Sequence, residues 1–168
     1  KTKLIVIPHV SNILGNILDI KSIISKIKSI DENIKVYVDG VAYLPHNIID
    51  VYDYNADFYV VSFYKFLGTR ISALYIKNGI LNNMKNLNHY FLDGEKKLEI
   101  GNIQYEQCVS LIGVKNYLCD VIQEDKFNRN VVVKNFEHIR QKELELIEYF
   151  DTKMNDFKNT NLKILTNT

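Results

Sequence analysis

The chain has 168 residues, of which 46% are hydrophobic and 24% charged, with a formal net charge of +1. That length supports one core, hence one domain or one domain plus a fragment, and the composition argues against disorder. The basic residues are spread rather than clustered, so neither nucleic acid nor an anionic membrane is the expected partner.

"KLIVIPHV" reads as a buried strand stopped at a proline, and "SNILGN" carries the residues of a tight loop. From Asp19 to Ile30 the isoleucines at 20, 23, 24, 27 and 30 recur at helical spacing. "IKVYVDG" is a second strand ending at Asp39-Gly40. After a proline-bearing loop come a third strand, "DFYVVS", and a fourth, "ISALYIK", then a short helix near Ile80 to Met84. Gln104 to Val121 is helical, with Val109, Ile112, Leu118 and Val121 near one face. A polar joint, "QEDKFNRN", leads into a long amphipathic helix from Val133 to Phe157, and "LKILTNT" reads as the start of a strand.

These elements describe an α/β protein whose mostly parallel sheet is flanked by helices, since near-continuous Ile/Val/Tyr runs are strands covered on both faces. Cys108 and Cys119 fall within one helix, three turns and about 16 Å apart. That is too far for a disulfide, and reduced cysteines fit an intracellular setting. No Cys/His spacing reads as zinc, so no metal is expected. No apolar run reaches membrane length and no signal-peptide pattern opens the chain, so a cytoplasmic protein is expected.

In open α/β sheets, ligands bind beyond the carboxyl ends of the strands. His9, Asn12, Asp39, Ser62 and Lys65 fall at or just past three such ends. A lysine amine whose pKa is lowered by its surroundings forms a Schiff base with a carbonyl. A carboxylate on the same rim can keep a ring nitrogen protonated, and the Ser62 hydroxyl can donate to a phosphate. Together these groups make a minimal pyridoxal 5'-phosphate (PLP) site. His9 is read as structural, and His46 as a surface or packing residue. The chemistry-neutral alternative is a nucleotide- or sugar-binding domain using Asp39; it lacks a glycine-rich phosphate loop after any strand.

"HVSNILG" (9–15), "VYVDG" (36–40), "LPHNIIDV" (44–51), "ADFYVVSFYKFLG" (56–68) and "LEIGN" (98–102) occur in one register. In that order and spacing the chain resembles the class V aminotransferases, and among them the cysteine desulfurases and desulfurase-like proteins. The resemblance runs from about Lys3 to Leu118 and implies an incomplete PLP-dependent fold-type I large domain (1–122), then the joint and start of a small C-terminal domain (123–168). It further implies that Lys65 forms an internal aldimine and shuttles protons, that Asp39 pairs with the pyridinium, and that Ser62 binds phosphate. Asn12 would sit near the ring oxygen or the substrate carboxylate. Tyr64 stands where the family often has histidine and can still donate a hydrogen bond. Ala42 and Asn102 replace a ring-contacting and a phosphate-contacting residue of the family. The implied protein acts on a small amino acid as a homodimer; the alternative is a decayed relative kept as a scaffold or binding subunit. Lys1 in place of Met marks an expected fragment of a longer protein.

Overall fold

The computed structural model describes residues 1–99, 101–155 and 157. Strands β1 (Leu4–Pro8), β2 (Lys35–Asp39), β3 (Phe58–Ser62) and β4 (Ser72–Ile76) form one sheet in the order β1-β2-β3-β4. The first three are parallel and β4 runs antiparallel to β3. Helix α1 (Ile20–Ile30) makes the crossover from β1 to β2, and α2 (Val51–Tyr54) precedes β3. After β4 come α3 (Ile80–Asn83), α4 (Tyr105–Val121) and the long α5 (Arg129–Asn155). The strand expected in "LKILTNT" lies outside the described residues.

α1 begins where Asp19 accepts the Ser22 backbone N–H at 3.1 Å, filling one of the helix's orphan donors. Its isoleucine stripe then faces the sheet: Ile20 and Ile24 are buried against Val36, Val38, Ala56 and Tyr59. At the edge of this core Asp57 is 2% exposed and therefore needs partners. Lys28 reaches it from α1 at 2.6 Å, and the Val36 N–H donates to it from β2 at 2.9 Å. One carboxylate thus ties helix and two strands together.

The strand runs imply cover on both faces, and α1 covers one. In the register Val6–Tyr37–Phe58–Ile76, the other face leaves Leu4 49% and Val6 61% exposed. A second core lies beyond the carboxyl ends of the strands, where Phe66, Leu118, Cys119, Val131 and Phe136 pack together. It decides which face of α4 is buried. Leu118 and Cys119 turn inward, whereas Val109, Ile112 and Val121 are exposed. α5 starts four residues before the periodicity suggests, because Asn128 accepts the Val131 N–H at 3.1 Å and caps it there. Cys108 and Cys119 are both free thiols.

Candidate active site

The parallel register aligns the strand ends: Pro8 pairs with Asp39, and Asp39 with Val60. Backbone hydrogen bonds carry the pairing past the strands, from His9 N–H to the Asp39 carbonyl at 2.8 Å and from Gly40 N–H to Val60 at 2.9 Å. The rim predicted from strand order is therefore a hydrogen-bonded edge.

Behind it stands an aromatic cluster. The His9 ring stacks on Tyr43 with centroids 3.5 Å apart, and its Nδ1 pairs with the Tyr59 hydroxyl at 2.7 Å. His9 is 3% exposed, and burial pushes its pKa down to about 4. The imidazole is accordingly neutral near pH 7, and the Tyr59 hydroxyl, whose own pKa burial raises, suits it as a donor. The structural reading of His9 agrees with this placement. Tyr59 also explains Gly40, since any Cβ there would run into the Tyr59 ring.

Asn12 is presented by a tight loop in which Ser11 accepts the Leu14 N–H at 3.1 Å and Gly15 donates to the Ser11 carbonyl at 2.9 Å. Gly15 sits at φ 71°, a backbone region suited to glycine. Asp39 is exposed at the end of β2; its Oδ1 accepts the Val41 N–H at 3.0 Å. Lys65 ends a single 3-10 turn, Phe63–Lys65, that follows β3 directly. Gly68 closes this loop by donating to the Phe63 carbonyl at 2.9 Å, and Thr69 fastens it to α4 through the Ser110 hydroxyl at 2.8 Å. Lys65 is thus an exposed amine on an anchored turn.

An open cleft of about 430 Å³ brings together Asn12, Ala42, His46, Asn47, Lys65 and Arg140. Of the predicted site residues, Asn12 and Lys65 line it. Asp39 lies on the same rim, three residues before Ala42, without lining the cleft. Ser62 pairs with Ser72 at 2.6 Å across β3 and β4, and Tyr64 is 54% exposed; neither lines the cleft. The sequence reading missed Asn47 and Arg140 and placed His46 outside any site. His46 meets Glu143 of α5 at 2.5 Å, a contact between residues 97 apart that leaves no local signal. Among the described residues, no group of three or more His, Cys, Asp or Glu side chains is placed to hold a metal, and no helix is long and apolar enough to cross a membrane.

Residues 1–111 match the family model described as Aminotransferase class-V. The aminotransferase-like protein FGM3 of Gibberella zeae is 36% identical over 156 residues, covering 91% of this chain and 37% of that protein. The cysteine desulfurase-like protein ustD of Aspergillus flavus is 34% identical over 139 residues, covering 79% and 31%. Among solved structures, the cysteine desulfurase CsdA from Escherichia coli superposes with a TM-score of 0.59 at 25% identity, over 70% of this chain and 33% of that one. The chain spans about a third of the length of these relatives.

Proposed function

The chain belongs to the class V aminotransferase family, and from that premise we propose that it is the central part of a PLP-dependent, cysteine desulfurase-like enzyme acting on a small amino acid. In this reading residues 1–122 belong to the large domain, 123–168 open the small one, and the whole protein is a cytoplasmic homodimer. The observation that carries the reading is that Lys65 and Asn12, taken from the ends of different strands, line one cleft.

The residues present fit the cofactor. The cleft offers an exposed amine and an amide, and Asp39 adds a carboxylate whose Oδ2 has no hydrogen bond among the described residues. When bound, PLP supplies an electron sink for charge developing beside the substrate nitrogen. Lys65 would hold the cofactor through Nζ, and the same amine would take and return a proton. Asp39, on the same rim, would keep the ring nitrogen protonated, since a nearby negative charge favours the charged form. Asn12, on the cleft wall, would orient the ring oxygen or the substrate carboxylate; Ser62 and Tyr64, which lie outside the cleft lining, would donate hydrogen bonds to the cofactor from the rim beside it. The anchored turn around Lys65 keeps the amine in position, which is the protein's main contribution to such chemistry.

The second reading, a non-catalytic relative, draws support from Ala42, which lines the cleft where the family pattern places a polar side chain. A visible absorption spectrum of the full-length protein with added PLP separates the two. A cofactor band in wild type that Lys65→Ala lacks supports the enzyme; no band in either protein supports the decayed relative.

A further inference from the structure

The turn that carries Lys65 contains a residue in an unfavourable backbone conformation. Leu67 sits at φ 59°, the left-handed region that crowds the Cβ of an L-residue against its own backbone. Among the described residues, the other non-glycine residues at positive φ are Asn55 and Gln123. Asn55 has a side chain suited to that region, and Gln123 follows the 17-residue helix α4, where a left-handed residue ends a long helix. Neither account covers Leu67, which is a bulky apolar residue after a turn of three residues.

Closure of the turn imposes the conformation. The Phe63 carbonyl accepts two N–H groups, from Phe66 at 2.8 Å and from Gly68 at 2.9 Å. The second bond reaches back five residues, a closure that needs a left-handed residue just before its donor, and glycine usually holds that place. Here the glycine comes one position later, because a Cβ at residue 68 would stand 2.7 Å from the Phe63 Cβ. The closed loop, 63–68, contains Lys65. Its two sides are held as well: the Phe63 N–H donates to the Ile71 carbonyl at 2.9 Å, and the Phe66 ring stacks on Phe136.

Packing does not explain the choice of leucine. Leu67 is 63% exposed, belongs to neither core and does not line the cleft beside Lys65. Backbone strain that surrounding contacts sustain clusters where position matters more than stability. What a Cβ supplies here is restriction, since glycine moves freely between both signs of φ and a branched residue does not. We propose that Leu67 is a positioning residue for Lys65, its restricted left-handed backbone keeping the 63–68 loop closed so that the amine is presented in one place. The inference rests on the functional reading above, in which Lys65 bears the cofactor, and adds what fixes that amine. Position matters to this degree because a displacement of about 1 Å costs a reacting group on the order of a hundredfold in rate.

The test compares full-length wild type, Leu67→Gly and Leu67→Asn by three measurements. These are the urea midpoint, hydrogen–deuterium exchange of peptides spanning residues 63–71 without cofactor, and PLP affinity by equilibrium dialysis. Glycine relieves the strain and frees the loop, whereas asparagine tolerates the left-handed region and keeps a Cβ. In Leu67→Gly the expected result is an equal or higher urea midpoint, at least fivefold faster exchange and at least threefold weaker PLP binding. Leu67→Asn should keep wild-type exchange and PLP affinity. Exchange and affinity unchanged in Leu67→Gly overturn the proposal. A lower midpoint in Leu67→Gly makes leucine a packing residue, and weakened PLP binding in Leu67→Asn makes its side chain the active part; either result also overturns it. If wild type binds no PLP, the enzymatic reading falls, and the exchange rates alone decide whether Leu67 restrains the loop.

Discussion

Acidification provides a sharp test of the packing beneath the rim. His9 is buried against Tyr43 and Tyr59, and its pKa falls from 6.5 to about 4 because burial disfavours the cation. Its folded form therefore resists a proton that the unfolded chain accepts. The stability this neutral ring contributes is fully present above pH 6.5 and is lost as pH falls toward 4. Each tenfold loss of proton affinity corresponds to about 1.4 kcal/mol, which sets a ceiling of about 3 kcal/mol. Linkage places about 2 kcal/mol of that between pH 7.5 and pH 5. The perturbation is His9→Phe, which retains an aromatic ring beside Tyr43 but cannot be protonated. It also leaves the Tyr59 hydroxyl without its partner, so it should cost about 1–3 kcal/mol near neutrality. Urea unfolding of the full-length protein and the variant, followed by circular dichroism at pH 7.5 and 5.0, measures both effects. The gap between the two proteins should narrow by about 2 kcal/mol on acidification. A gap that stays constant or widens would refute the assignment of His9 as a buried neutral base.

Two further substitutions probe the elements that hold the cleft. Gly40→Ala forces a methyl into the space of the Tyr59 ring, and overpacking of this kind costs about 1–3 kcal/mol; an unchanged urea midpoint would contradict the tight approach. Phe136→Ala removes the ring stacked on Phe66 and should destabilise by about 3–5 kcal/mol. Because Phe66 adjoins Lys65, the same variant should also weaken PLP binding, measured by equilibrium dialysis; retained affinity would show that α5 does not support the turn.

Much of the architecture was legible because its signals are local. Among the described residues, the Ile/Val/Tyr runs locate β1 to β4, and the isoleucine spacing locates α1, since periodicity follows from which face is buried. α2 was not legible: four residues are too few for a helical period, and it exists because Asp50 accepts the Tyr52 and Asp53 N–H groups. The early start of α5 was hidden for the same reason, being set by the Asn128 cap. At the site, strand ends predicted where Lys65 and Asn12 converge. His46 and Arg140 escaped notice because their places depend on α5 folding back across the strand ends, a packing relation with no sequence period. The exposed side chains of Val109 and Ile112 mark the opposite failure, where an apolar pattern implied burial that this chain does not provide.

The central claim is that Lys65 is the cofactor-bearing amine. Borohydride reduction of the PLP-treated full-length protein, followed by proteolysis and mass spectrometry, addresses it residue by residue. The account predicts one phosphopyridoxyl group, on the peptide containing Lys65. A label on a different lysine, or no label at all, would contradict it.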